Sequence, residues 1–134
     1  MAAEPVGLLV DTHLLLWWAL MPEQLSEEAR LRLESPDQRL LFSVVSLWEV
    51  AIKTSLGRED FQVDPPALRR GLLREGFEEL PIQAEHVLAV RDLPLIHLDP
   101  FDRLLVVQAQ REGLRLVTTD RRLAEYGEAV RWVG

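Results

Sequence analysis

Short apolar runs alternate with longer amphipathic stretches along the chain. Five of the runs predict strands, at residues 7–10, 40–43, 77–82, 114–118 and 130–133. Six stretches between them space their apolar residues as helices do, at residues 12–21, 26–34, 46–56, 66–75, 84–90 and 100–112. Strands that alternate with helices predict an α/β fold with a mostly parallel central sheet. No repeat, low-complexity segment or linker divides the sequence, so residues 1–134 are expected to form a single domain.

Two of the predicted helices have clear boundary signals. Asp99 is expected to cap the helix 100–112, which has Pro100 in its first turn and Gly113 after its last residue. In the helix 46–56, Ser46 and Glu49 fit a capping box, in which Glu49 would accept a hydrogen bond from the backbone N–H of Ser46. The same Glu49 could also pair with a lysine one turn later.

The first predicted helix, 12–21, is apolar on nearly every side. A helix that covers one side of a sheet needs only one apolar stripe, and this helix carries both Trp17 and Trp18 in addition to its leucines. Two explanations remain open at this point. Either part of its surface contacts another chain, or neighbouring helices bury it within the monomer.

The charge balance is acidic, with 15 Lys and Arg against 22 Asp and Glu and a net charge of −7. Binding of nucleic acid through many phosphate contacts requires clustered basic residues, so such a role would need another source of positive charge. The absence of cysteine excludes disulfides, thiolate metal sites and cysteine nucleophiles, and it favours a reducing compartment. The longest apolar run, residues 14–21, is far shorter than the ~20 residues of a membrane span. No signal peptide is expected, and a cytoplasmic location is predicted.

Four carboxylates are predicted to meet at one edge of the sheet. Asp11 and Asp120 follow the first and fourth strands, and the carboxyl ends of parallel strands line the crevice where ligands bind. Glu49 and Asp102 lie in the first turns of helices that start near the same edge. Each acid has a purely structural alternative, because Asp11 and Asp120 could cap helices, Glu49 could complete a capping box and Asp102 could favour a helix start. Their convergence is the stronger signal.

Clustered carboxylates raise one another's pKa unless a cation lies among them. Hard cations such as Mg²⁺ or Mn²⁺ prefer oxygen ligands, and two such ions ~3.5–4 Å apart can activate a water for phosphoryl displacement. One or two ions would also supply the missing positive charge. Asp99 is a further candidate to support such a site. His13, His86 and His97 lack the spacing of a zinc motif, and we expect supporting or packing roles for His13 and His97 near the cleft.

The sequence resembles the PIN-domain nucleases, and within them the VapC-type toxins of type II toxin–antitoxin pairs. The resemblance covers nearly the whole chain and rests on ordered segments: LLVDTH at 8–13 with LWW at 16–18, SVVSLWEVAIK at 43–53, LP at 93–94, HLDPFDRLL at 97–105 and LVTTD at 116–120. It implies a three-layer α/β/α sandwich and a quartet of acids that binds Mg²⁺ or Mn²⁺. By position the quartet is Asp11, Glu49, Asp102 and Asp120, with Thr12 and Thr118 as supporting neighbours. The chain departs from the subgroup at Val106-Val107, where Ile-Ala is frequent.

The resemblance also implies an activity and partners. It implies an endoribonuclease that prefers single strands, cleaves by metal-activated water and is silenced by a VapB-type antitoxin across its cleft. It further implies a homodimer and assembly into higher toxin–antitoxin complexes, for which Trp17 and Trp18 offer a surface. The basic residues expected to line an RNA groove are Lys53, Arg58, Arg103, Arg121 and Arg122. The alternative for each is a solvated or salt-paired surface residue.

Other function classes fit the residues less well. A phosphotransfer receiver domain needs a lysine late in the chain, whereas the single lysine is Lys53. A phosphohydrolase with an aspartyl nucleophile would have a second acid two residues after Asp11, where His13 stands. A non-catalytic PIN-like module that binds a metal or a partner remains open, because it would carry the same quartet.

Overall fold

Five parallel strands form one sheet in a computed structural model that describes residues 6–57 and 62–134. The strands are β1 (Leu8–Val10), β2 (Leu40–Ser43), β3 (Glu78–Leu80), β4 (Arg115–Thr118) and β5 (Val130–Trp132). Their spatial order is β3-β2-β1-β4-β5, and each neighbouring pair is parallel. The predicted parallel sheet is confirmed.

Six α-helices cover the sheet on both faces. They are α1 (Thr12–Leu20), α2 (Glu27–Leu33), α3 (Val44–Ser55), α4 (Pro65–Arg74), α5 (Ala84–Ala89) and α6 (Pro100–Glu112). Short 3-10 turns occupy Pro22–Gln24, Val90–Asp92 and Arg121–Tyr126. The predicted three-layer α/β/α sandwich is therefore confirmed. Within the part of the chain that the structure describes, no helix is long and apolar enough to cross a membrane.

The two faces of the sheet carry separate apolar cores. Along β1, Leu8 and Val10 pack into the core shared with α1, α2 and α4, whereas Leu9 packs into the core shared with α6. All three residues are buried, as expected for a central strand of a parallel sheet. Because β1 is the central strand, it places Asp11, the residue that follows it, in the middle of the sheet edge.

Helix α1 is mostly buried within the monomer. Leu14 and Leu15 are fully enclosed, and Trp17 and Trp18 are partly buried against the same core. The rings of Trp18 and Phe77 pack edge to face, with centroids 5.0 Å apart, and Phe77 directly precedes β3. The large apolar side chains most exposed to solvent are at the C-terminal end of the helix, at Leu20 and at Met21, which follows it. Of the two explanations for the apolar surface of this helix, the structure mainly favours burial by neighbouring elements of the same chain.

Helix α3 begins two residues earlier than predicted, and the proposed capping box is wrong. Ser43, the last residue of β2, caps the helix by accepting a hydrogen bond from the backbone N–H of Val45 at 2.9 Å. Ser46 therefore lies within the first turn of the helix rather than at its cap, and Oε2 of Glu49 accepts from Lys53. The predicted pair of Glu49 with Lys53 is confirmed, at 2.9 Å. Two serines three residues apart both fit a cap, so the sequence alone could not choose between them.

A buried histidine joins α5 to α6. Nδ1 of His86 accepts from the backbone N–H of Gln83 at 3.0 Å, so Nε2 carries the ring hydrogen and donates to Glu112 at 3.1 Å. Glu85 also lies close enough for the three side chains to enclose an ion. The hydrogen on Nε2, however, leaves that nitrogen without a lone pair for a metal. His86 therefore packs between the helices and links α5 to α6.

Gly113 should be needed for the end of α6, because its φ of +65° lies in the left-handed region. We expect Gly113→Ala to lower the free energy of unfolding by about 1 kcal/mol in urea titrations. Gly71, inside α4, is the matched control, because its φ is ordinary and no described atom lies within 4 Å of an added Cβ. Gly71→Ala should leave stability unchanged or raise it by about 0.5–1 kcal/mol. Equal losses in both variants would contradict the backbone explanation.

Candidate metal centre

The four predicted acids line one cleft at the carboxyl edge of the sheet. Asp11 directly follows β1, and Asp120 lies two residues after the end of β4. Glu49 and Asp102 stand on α3 and α6. The cleft has a volume of about 310 Å³. Its other lining residues are Thr12, His13, Leu16, Lys53, Asp99 and Thr119. The structure thus brings together the acids that the strand-end argument selected.

Asp11 is held on both of its carboxylate oxygens. Oδ1 accepts from the backbone N–H of His13 at 3.1 Å, and Oδ2 accepts from the hydroxyl of Thr118 on β4. The Thr118 hydroxyl oxygen in turn accepts from the backbone N–H of Asp120 at 3.0 Å. Burial raises the pKa of Asp11, while these hydrogen bonds act in the opposite direction. Asp11 therefore caps α1, as one alternative predicted, and also lines the cleft.

A pair of buried hydroxyls braces α1 against α3. Oγ1 of Thr12 lies 2.8 Å from Oγ of Ser46. The sequence placed Ser46 in a capping box and did not predict this contact, although Ser46 precedes Glu49 by one helical turn and so shares its face. The pair fixes the helix that carries Glu49 relative to the strand end that carries Asp11.

Glu49 has one carboxylate oxygen without a hydrogen-bond partner. Oε2 accepts from Nζ of Lys53, whereas Oε1 is buried and, among the described residues, has no donor. A buried carboxylate oxygen is costly unless a donor or a cation meets it. This orphaned oxygen fits a divalent cation bound among the four acids.

Burial and the other acids of the cleft raise the pKa of Asp102. Burial and the negative charges of Asp11, Asp99, Glu49 and Asp120 raise its pKa to about 8. Without a cation, Asp102 is therefore protonated at neutral pH. The negative charges that help keep Asp102 protonated also favour the binding of a divalent cation beside it.

Asp120 differs from Asp102 because donors surround it. Burial acts to raise its pKa, but hydrogen bonds from His97 and from the backbone N–H of Arg122, together with nearby positive charge, lower the pKa below its ordinary value. Asp120 also caps the 3-10 turn that follows it. The cleft thus combines one carboxyl that is protonated at neutral pH with another that stays ionised.

Asp99 forms the cap that its sequence context predicts. Its Oδ1 accepts from the backbone N–H groups of Phe101 and Asp102, at 2.8 and 3.0 Å. The side chain also lines the cleft. Asp99 therefore fixes the start of α6, on which Asp102 stands.

The predicted basic groove is only partly present. Lys53 lines the cleft and pairs with Glu49, and the guanidinium of Arg122 reaches Asp120 with Nε 3.6 Å from Oδ1. Arg121 is exposed and lies over the ring of Trp132, 5.3 Å from its centroid. Arg58 lies outside the described residues.

The prediction of a groove position for Arg103 is wrong. Arg103 is only 8% exposed, and its guanidinium donates to backbone carbonyls of the segment before α6. One residue along a helix rotates the side chain by about 100°, so Arg103 points away from the cleft that Asp102 faces. Its partners are the carbonyl oxygens of Leu93 and His97, and those of Val90 and Pro94, which also accept from backbone N–H groups of the same segment.

Of the two histidines expected near the cleft, His97 contacts one of the four acids. His13 is exposed and meets the edge of the Trp17 ring, with centroids 5.3 Å apart. His97 is buried, and its Nε2 lies 2.9 Å from Oδ2 of Asp120. Tyr126 was not predicted from the sequence, and its phenol oxygen accepts a hydrogen bond from the backbone N–H of His97.

The affinity for Mn²⁺ should rise with pH between about 5.5 and 7.5, because an arriving cation must displace the proton held by Asp102. One released proton makes the slope approach tenfold per pH unit below the pKa of about 8. Calorimetric titrations in buffers of different ionisation enthalpy measure both the affinity and the proton release. An affinity that does not change with pH, with no proton released, would contradict this assignment.

The comparisons with known proteins agree with this fold. The PIN-domain family profile matches residues 8–129. The chain is 32% identical over 129 residues to Ribonuclease VapC22 of Mycobacterium tuberculosis, an alignment that covers 88% of this chain and 90% of the relative.

Solved structures show the same fold at low sequence identity. VapBC2 from Rickettsia felis, bound to a DNA fragment from the promoter, has a TM-score of 0.66 and 15% identity, and the match covers 89% of this chain and 92% of that one. FitAcB from Neisseria gonorrhoeae has a TM-score of 0.61 and 16% identity, with 92% and 95% covered. Because the family profile spans most of the sequence and a relative exceeds 30% identity over nearly its full length, this chain belongs to the PIN-domain family.

Proposed function

We propose that the protein is a metal-dependent endoribonuclease and the toxin of a VapBC-type toxin–antitoxin pair. The observation that carries this proposal is the convergence of four carboxylates in one cleft, with the buried Oε1 of Glu49 lacking a donor among the described residues. The similarity to a relative named as a ribonuclease, and to structures of toxin–antitoxin proteins, supports it.

The proposed ligands of Mg²⁺ or Mn²⁺ are Asp11, Glu49, Asp102 and Asp120, which would hold one or two ions. When bound, the ions supply positive charge for the RNA phosphate and activate water for hydrolysis of the phosphodiester bond. This source of positive charge accounts for an RNA substrate despite the acidic composition.

The remaining cleft residues orient these ligands. Thr118 donates to Asp11, and Lys53 occupies one oxygen of Glu49 and so leaves the other for a cation. Asp99 fixes the first turn of the helix that carries Asp102. For RNA binding, we propose phosphate contacts by Lys53 and by the exposed Arg121 and Arg122.

The proposal is tested with purified protein freed of any partner. RNA should be cut only when Mg²⁺ or Mn²⁺ is present, and cleavage should stop in excess chelator and return when the metal is restored. The Asp11→Asn variant, purified in parallel, controls for contaminating nucleases. Equal cleavage in chelator, or by the variant, would contradict the proposal.

A non-catalytic metal- or partner-binding module remains the alternative that the sequence left open. Induced expression without a partner distinguishes the two, since an active toxin should arrest growth. Normal growth with folded protein in the cells would favour the module.

We also propose a VapB-type antitoxin partner and a homodimer in solution. The proposal of an antitoxin partner rests on the similarity to solved toxin–antitoxin complexes. For the homodimer, the supporting surface is the exposed apolar end of α1 at Leu20 and Met21, together with Trp48, Ile52 and Leu56 along α3. Sedimentation or light scattering of the purified toxin gives its mass directly, and a monomer at micromolar concentration would contradict the homodimer.

A further inference from the structure

Arg103 is a buried cation whose donors are directed at neutral oxygens. Its guanidinium donates to the carbonyl oxygens of Val90, Leu93, Pro94 and His97 at 3.0–3.2 Å. A fifth contact, at 3.2 Å, joins it to the phenol oxygen of Tyr126. Burial of a guanidinium is costly, and several carbonyl oxygens offset that cost only when the backbone around it is fixed. Arg103 therefore organises the segment that leads into α6.

That segment has little structure of its own. Between the 3-10 turn Val90–Asp92 and α6, its described backbone hydrogen bonds are those from Leu93 to Val90 and from Ile96 to Pro94. The carbonyl oxygens of both acceptors, Val90 and Pro94, also accept from Arg103. Arg103 donates in addition to the carbonyl oxygens of Leu93 and His97. A loop with so few internal hydrogen bonds depends on this side chain for its conformation.

His97 is held in one orientation and one tautomer. Its backbone N–H donates to the phenol oxygen of Tyr126 at 2.9 Å, and its carbonyl oxygen accepts from Arg103 at 3.2 Å. Its Nδ1 accepts from the backbone N–H of Asp99 at 3.1 Å. Because Nδ1 uses its lone pair in this way, the hydrogen of the neutral ring is on Nε2.

Nε2 of His97 consequently acts as a donor to the cleft. It lies 2.9 Å from Oδ2 of Asp120. The guanidinium of Arg122 lies beside both groups, with Nε 3.6 Å from Oδ1 of Asp120 and Nη2 3.2 Å from Nε2 of His97. The acceptor at the shorter distance, Asp120, takes the Nε2 hydrogen. His97, Asp102 and Asp120 have ligand atoms within 4.8 Å of one another, a spacing that would suit a metal with a histidine ligand. Because Nε2 carries the ring hydrogen, His97 orients the Asp120 carboxylate rather than acting as a metal ligand.

We propose that Arg103 and Tyr126 are positioning residues that, through His97, set the orientation of the Asp120 carboxylate for the cation. This inference rests on the proposed metal site. It makes His97 a hydrogen-bond donor to a metal ligand, and it gives a role in the site to Arg103, whose side chain lies outside the cleft. Partners of this kind typically change metal affinity 10–100-fold when they are removed.

The tautomer of His97 tests the first half of the proposal in the metal-free protein. Two-dimensional ¹H–¹⁵N spectra distinguish the two ring nitrogens, and the unmodified protein should show the hydrogen on Nε2. In Tyr126→Phe and Arg103→Lys, His97 should show a mixture of tautomers. Arg70→Lys, at an exposed position on α4, is the matched control and should leave the spectrum unchanged. An unchanged His97 signal in folded Arg103 and Tyr126 variants would overturn the proposal.

Mn²⁺ affinity, measured by calorimetry, tests the second half. His97→Leu should weaken binding by about 10–100-fold, whereas His97→Gln should recover part of that loss because its amide can donate to Asp120. Equal loss in both variants would indicate a metal ligand and overturn the donor role. If the unmodified protein binds no Mn²⁺, the proposed function fails as well. If it binds Mn²⁺ normally and the Arg103→Lys, Tyr126→Phe and His97→Leu variants do too, only the present inference fails.

Discussion

Asp102→Asn should reduce RNA cleavage by about 1000-fold or more, equivalent to about 4 kcal/mol of activation free energy. The amide removes a negative charge from the point where the charges of Asp11, Asp99, Glu49 and Asp120 act together. A cation held by the remaining acids would lose an anionic ligand, and its position would shift. Cleavage of a fluorescent RNA under single-turnover conditions, at saturating Mn²⁺, measures the effect.

The same substitution should stabilise the metal-free protein. The pKa of Asp102 is raised to about 8 in the folded state, above that of the unfolded chain, so its ionisation opposes folding as pH rises from about 4 to 8. Asn cannot ionise, and after allowance for solvent screening we expect a gain of about 1–3 kcal/mol at pH 7 and little change near pH 4. Asp37→Asn, at an exposed position, is the control and should affect neither property. A variant that is inactive but less stable would contradict this electrostatic account.

Arg103→Leu should be the most destabilising single substitution among the residues around the site, with a loss of about 2–4 kcal/mol. The variant removes a charged donor from four backbone carbonyls and a phenol oxygen, and hydrogen bonds to charged groups contribute about 1.5–3 kcal/mol each before solvent replaces some of them. For a chain of this size the thermal midpoint should fall by roughly 10 °C.

The matched control for that substitution lies on the same helix. Arg111→Leu replaces an exposed arginine in the last turns of α6, and it should change the free energy of unfolding by less than about 0.5 kcal/mol. Urea denaturation of both variants, with metal absent, gives the comparison. Equal stabilities would show that the carbonyl contacts of Arg103 contribute nothing measurable.

The fold was largely predictable because its signals are local. Strands β1 and β2 are short, mostly apolar runs, and α6 carries its cap, its proline and its terminal glycine in sequence. The start of α3 was missed because Ser43 and Ser46 both satisfy the local rule for a cap. The choice between them depends on Gln108, which accepts from the Ser43 hydroxyl at 2.5 Å and lies 65 residues away. Contacts at that separation leave no periodic trace.

The four acids were predictable for a different reason. Strand order was not needed to place Asp11 and Asp120, because all carboxyl ends of a parallel sheet share one edge. The direction of a side chain on a helix surface was harder to infer. Arg103 reads as an exposed base beside Asp102, and only the folded segment before α6 shows that its partners lie inside the protein. The contact of His97 with Asp120 likewise depends on Tyr126, from a distant part of the chain.

The pairing of β1 with β4 divides the cleft into a fixed half and an adjustable half. Val10 and Val117 are partners in the sheet, and the backbone N–H of Asp11 extends the ladder to the carbonyl oxygen of Val117 at 3.0 Å. The separation of the acids that follow these strands is therefore set by backbone geometry. Glu49 and Asp102 stand on helices, which are joined to these strands by side-chain contacts such as that of Thr12 with Ser46 rather than by a ladder of backbone hydrogen bonds. Exchange of Mg²⁺ for the slightly larger Mn²⁺ should thus be accommodated by α3 and α6, while the sheet keeps its dimensions.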